Sequence, residues 1–101
     1  MIKTEIVKSN SGRATRQVIV THYDDKKEQK TAVLFSYDAP IAAIVTNNTG
    51  RQVYLDANKW DYSNTTGRYR NAFLHETKAE TLKKIETGEY KLVDLTSDHP
   101  Y

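Results

Sequence analysis

"IAAIVTNNTGRQVYLD", residues 41–56, decides the fold of this chain. Residues 41–46 are apolar at both alternating positions and the run is short, the pattern of a strand covered on both sides and central in its sheet. Asn47, Asn48, Thr49 and Gly50 follow, and Asn and Gly tolerate the backbone of a tight turn. Residues 51–56, "RQVYLD", restore alternation. Together they predict a hairpin.

Working back from the hairpin, residues 30–37 ("KTAVLFSY") predict a strand that Asp38-Ala39-Pro40 ends, because Pro lacks the N–H and restricts its predecessor. "DDKKEQ" (24–29) is a charged hairpin loop, and "TRQVIVTHY" (15–23) a β-branched strand. "SNSGR" (9–13) signals a turn, and "IKTEIVK" (2–8) alternates as a half-buried strand rather than a signal peptide.

After Asp56 the period changes. Tyr69 and Phe73 stand four apart with Leu74 beside them, which predicts a helix over 65–75 with Tyr69 facing the core and His75 at the end where a cation suits the dipole. Ser63 and Thr65 are the candidate N-caps. Trp60 and Tyr62 are expected to pin the start of this helix to the core. Thr77 and Glu80 have capping-box spacing, so a second helix follows, with Leu82 and Ile85 as its buried face and Gly88 as a left-handed cap. "EYKLVDL" (89–95) resumes alternation as a final strand or extended arm, and residues 96–101 read as a tail. The fold class expected is α+β: an antiparallel meander of about five strands, two short helices on one sheet face, and a last strand, in a single domain over 1–95.

A 101-residue chain has room for one modest core. It is 38% hydrophobic and 28% charged, which suits a folded soluble domain. No cysteine is present, so disulfides, thiolate chemistry and zinc-finger sites are excluded. No apolar run is long enough to span a membrane, and the expected location is the cytoplasm. The net charge is +2. It is graded from +3 over residues 1–37, through +1 over 38–75, to −2 over 76–101.

The chemical candidates are few. His22, Asp24 and Asp25 at a hairpin suggest a metal-assisted hydrolase only if a further ligand arrives from elsewhere; Asp at a turn more commonly satisfies local N–H groups. Asp38, Asp56 and Asp61 would need to converge to serve as acid and base, and turn or cap roles are commoner. No Ser–His pair, P-loop or glycine-rich phosphate motif is present, so no catalytic residue, metal ligand or cofactor is expected. Seven tyrosines in so small a domain leave some for the surface, where Tyr and Arg are favoured in interface hot spots. The residues expected to contact a partner are Gly67, whose missing side chain allows a close approach, with Arg68 and Arg70, and Arg13 and Arg16 in the basic N-terminal part. The same arginines support a second reading, a nucleic-acid-binding module. Pairing of an edge strand across a two-fold axis would make a homo-oligomer.

The segment Trp60-Asp61-Tyr62-Ser63-Asn64-Thr65-Thr66, with Phe73-Leu74 downstream and Leu55-Asp56 upstream, resembles a functionally uncharacterised family of small bacteriophage and mobile-element proteins over residues 33–74. The resemblance brings no catalytic residues. It implies a small accessory protein that binds a host protein or a protein–nucleic-acid complex in a bacterial cell, and such proteins include anti-defence and anti-CRISPR inhibitors.

Overall fold

The computed structural model describes residues 2–8 and 14–97, with side chains described at residue 4 and over 17–97. It contains β1 (Ile2–Lys8), β2 (Ala14–Asp24), β3 (Gln29–Ser36), β4 (Ala39–Asn47), β5 (Gly50–Asp56), α1 (Asn64–Leu74), α2 (Lys78–Glu86) and β6 (Tyr90–Val93). The six strands form one sheet in chain order. The first five pair antiparallel, while β6 lies parallel to β5 with Val53 opposite Tyr90. The expected α+β meander is present, and the final alternating segment is a sixth strand of the sheet. A parallel neighbour needs a crossover, and the two helices supply it.

Local chemistry accounts for the connections. In the β2–β3 loop, Asp24 Oδ1 accepts the N–H groups of Lys26 and Lys27 at 3.1 and 3.2 Å. At the β4–β5 turn, Asn47 Oδ1 accepts from the Thr49 N–H at 2.9 Å, and Gly50 takes φ +132°. The β3–β4 connection is tighter than the sequence suggests. Tyr37 and Asp38 both have positive φ, 51° and 69°, the backbone of a two-residue hairpin turn usually given to Asn-Gly. The strand does end before Asp38, as expected, but Ala39 and Pro40 already belong to β4. Pro40 sits opposite Phe35, where the register shifts by one residue, so the missing N–H falls at an irregularity.

Both helices pack on one face of the sheet. Ala42, Val53, Leu55 and Tyr90 form the buried cluster with Leu74 of α1, and Trp60, Phe73 and Ile85 flank it. Helix α1 begins at Ser63, whose Oγ accepts the Thr66 N–H at 3.1 Å, and the buried Thr66 hydroxyl meets Ser36 at 2.9 Å. Gln17 donates to that Ser36 hydroxyl at 2.8 Å, so a buried polar chain ties β2 and β3 to the start of the helix.

Helix α2 begins with the expected capping box between Thr77 and Glu80, and Gly88 takes φ +83° behind it. Its buried face differs from expectation. Thr81 is buried and Leu82 is 39% exposed. Thr81 and Ile85 stand four apart on the inward stripe, and Thr81 is drawn in because its hydroxyl donates to Glu76 Oε2 at 2.6 Å. Tyr62 is likewise 43% exposed rather than packed inside, with only its hydroxyl reaching back to the Ser36 carbonyl at 3.4 Å.

Candidate interaction site at the start of the first helix

The residues that begin α1 surround Arg70. Its side chain is 1% exposed. One terminal nitrogen donates to the Trp60 carbonyl at 2.9 Å and to Asp61 Oδ1 at 2.8 Å, and the other donates to Asn71 Oδ1 at 2.9 Å. The guanidinium carbon stands 5.0 Å from the centre of the Trp60 ring, within cation–π range. Asp61 in turn holds Lys78 of α2 through Oδ2 at 2.6 Å. One carboxylate thus joins the loop before α1 to both helices. Burial alone would raise the Asp61 pKa, but the hydrogen bonds and positive charges of Lys78 and Arg70 outweigh it and hold the carboxyl below its ordinary value.

This arrangement explains Gly67. It is buried in the first turn, and a Cβ built there would lie 3.6 Å from both an Arg70 nitrogen and Asp61 Oδ1. The groups that approach it belong to the chain itself. Arg70 is likewise an internal strut and not a surface cation, because its guanidinium finds carbonyl and carboxylate partners inside. Arg68, two residues earlier and so on another side of the helix, is exposed. Arg13 lies outside the described residues, and Arg16 is placed in β2 by its backbone alone.

Gly67, Arg68 and Arg70 do meet along one cleft of about 330 Å³, joined by Asp61, Ser63, Asn64, Asn71 and Lys78. The first turn of α1 carries no acidic residue. Of the cations that line the cleft, Arg68 is exposed, and Lys78 is 53% exposed while paired with Asp61. Nearby in the chain, Lys59 Nζ lies 5.3 Å from the centre of the exposed Tyr62 ring.

The other sequence candidates have structural work. Asp56 is buried and accepts the Leu95 and Asn58 N–H groups at 3.0 and 3.1 Å. Asp38 sits at the β3–β4 turn. Asp24 and Asp25 line an open cleft at the hairpin tips, and among the described residues no group of three or more His, Asp or Glu is placed to hold a metal ion. No helix among the described residues is long and apolar enough to cross a membrane.

A second polar centre lies between α2 and β6. Glu76 accepts Thr81, Lys84 and Tyr90 at 2.6, 2.9 and 2.6 Å, fastening α2 to β6. Burial opposes its ionisation, yet these three donors hold its pKa below the ordinary value. Lys84 is raised by its hydrogen bond to Glu76, and Tyr90 is raised by burial and by the same carboxylate. The spacings are five, eight and fourteen residues, so no single helical periodicity announces the cluster.

Residues 2–89 match the family of unknown function DUF8033. The chain belongs to that family. The family match extends well beyond the Trp60–Leu74 segment, taking in the first five strands and both helices and ending just before β6. No curated protein and no solved structure matches the chain.

Proposed function

We propose that this member of the family is a non-enzymatic accessory protein that acts by binding another protein, through the basic wall of the cleft at the start of α1. One observation carries the reading. Of the two arginines flanking Tyr69, Arg70 is consumed by the interior while Arg68 stands exposed beside Lys78, on a cleft already shaped by the rigid Trp60–Asp61–Arg70 unit. A concave surface carrying an exposed Arg, with an exposed Tyr close by in the chain, has the residue types that dominate interface hot spots. Its charge suits an acidic patch on the partner.

The likeness of residues 60–74 to bacteriophage and mobile-element proteins supports a finer reading. In it the partner is a host protein or defence complex in the bacterial cytoplasm, and the protein is an anti-defence inhibitor of the anti-CRISPR kind. The test is affinity capture from bacterial lysate with the wild-type chain and with the Arg68→Glu/Lys78→Glu variant. A protein retained by the first and lost by the second is expected.

A second reading rests on Tyr62. An exposed ring beside Lys59 and close in sequence to Arg68 is the pairing by which single-stranded nucleic acid is stacked and neutralised. It predicts a low-salt mobility shift that weakens steeply as salt is added. A low-salt titration with no DNA or RNA complex rules it out.

A further inference from the structure

The β2–β3 loop and the β4–β5 turn stand together at the end of the sheet opposite Ser36 and the start of α1. They border a cleft of about 380 Å³, within the size range of small-molecule sites and sharing no residue with the cleft at α1. Buried Val45 and half-buried Tyr54 line it, and Gln29, Asn47 and Gln52 add amide groups. Its charge is of one sign. Lys27 and Arg51 both line it and are exposed, while no acidic residue does. Among the described residues neither cation is paired with a carboxylate.

The nearby acids are engaged elsewhere. Glu28, next to Lys27 in the chain, lines the adjoining cleft, and its Oε2 accepts Asn48 Nδ2 at 2.7 Å. Asp24 Oδ1 is taken by the N–H groups of Lys26 and Lys27. The Glu28–Asn48 bond also clasps the two hairpin tips to each other. Asn47 Oδ1 accepts the Thr49 N–H and hydroxyl at 2.9 and 2.6 Å, which sets the turn. Gln52 Nε2 donates to the Val53 and Glu89 carbonyls at 3.0 and 2.8 Å. These bonds hold the walls in place, so little ordering remains for a ligand to bring about.

We propose that this cleft binds a small organic anion, a polar molecule whose carboxylate or phosphate group is held by Lys27 and Arg51. Two uncompensated cations on a concave surface concentrate anions there. Arg51 supplies the planar fork that matches carboxylate or phosphate oxygens, and Lys27 supplies a point charge. The amides of Gln29 and Asn47 serve hydroxyl groups on the rest of the molecule, since an amide both donates and accepts. Val45 and the Tyr54 ring meet its carbon skeleton. A bare inorganic ion would leave the amides and the ring unused. The site is separate from the contact proposed at Arg68 and Lys78, and the two can be tested independently.

The test is titration of isotope-labelled protein, followed by amide NMR shifts at constant ionic strength, with citrate, ribose phosphate and neutral ribose as probes. Citrate or ribose phosphate is expected to shift the Lys27, Gly50 and Arg51 amides saturably, with half-saturation below about 10 mM. A response to only one of them assigns the group as carboxylate or phosphate. Arg51→Met and Lys27→Met are each expected to weaken binding about tenfold, the loss of one charge-assisted contact, at an unchanged melting temperature. Lys83→Met, at an exposed site on α2, should bind as wild type does. No saturation with either anion overturns the proposal. So does an equal response to ribose, or equal binding by wild type and the Lys27→Met/Arg51→Met double variant.

Discussion

Arg70 donates to the main-chain carbonyl of Trp60 at 2.9 Å while its guanidinium lies 5.0 Å from the centre of the Trp60 indole. The same residue thus holds the backbone and the ring of the loop that leads into α1. Asp61 completes the unit and passes it on to Lys78, which makes the start of the first helix rigid and joins the two helices.

Two arginines two positions apart should therefore behave oppositely. Removing one member of a buried ion pair strands its partners, so Arg70→Ala is expected to cost about 3 kcal/mol in urea unfolding. Arg70→Lys recovers only part, since an ammonium lacks the planar fork that serves Trp60, Asp61 and Asn71 together. Arg68→Ala is expected to stay within about 0.5 kcal/mol of wild type, as at an ordinary exposed site. Equal losses for Arg68→Ala and Arg70→Ala would contradict this division.

Gly67 offers the reverse case. A Cβ there meets Arg70 and Asp61 at 3.6 Å, ordinary contact distance, and Gly67 is not among the residues with positive φ. Gly67→Ala should therefore fit and gain about 0.5–1 kcal/mol of helix stability. A bulkier Gly67→Val should lose stability by pushing on the Asp61–Arg70 pair. Thermal melts of the two variants check the sign of each.

The Glu76 centre predicts a pH profile. Its folded pKa lies below the ordinary 4.5, so its stabilising contribution is complete above that value and is lost as pH falls through the lower folded value. Asp61 acts in the same direction below 3.8. Lys84 and Tyr90 are raised above 10.5 and 10.0, so their contributions hold below those values and disappear as pH rises through the folded ones. Glu76→Gln should cost about 1–3 kcal/mol at neutral pH and flatten the curve at both ends. Urea unfolding measured from pH 3 to 11 gives the comparison.

His75 closes α1 in the left-handed conformation, φ 57° and ψ 46°, with its N–H bonded to the Asn71 carbonyl. An exposed non-glycine residue in that region is strained, so His75→Gly should stabilise the protein by about 0.5–1 kcal/mol. Thermal melts check it, and a His75→Gly melting temperature at or below that of wild type would contradict the strain at this cap.

What the sequence made legible was local. Ser63 and Thr77 cap helices within three residues of themselves, and the hairpin at Asn47–Gly50 is written in its turn residues. Tyr69 and Phe73, four apart with Leu74 beside them, declare the inward face of α1 by their spacing. The misjudged features depend on partners distant in the chain or on backbone that side-chain preferences disguise. Arg70 looks like a surface cation until Asp61, nine residues away, and the Trp60 carbonyl fold around it. Leu82 seems the natural core residue of α2, yet Thr81 is inside because Glu76 recruits its hydroxyl. Tyr37-Asp38 forms a tight turn without Asn or Gly, and the parallel placement of β6 follows from the path through both helices. An Asp beside a Trp in the loop before a helix was the one available hint of the buried pair.

In the proposed function the protein works by binding, with Arg68 and Lys78 as the contact and Arg70 as the frame behind them. Affinity capture from bacterial lysate tests it most directly, comparing wild type with folded Arg68→Glu/Lys78→Glu. A stoichiometric protein partner held by the wild-type chain and absent from the variant is expected. No partner above background, or one retained equally by both chains, would contradict it.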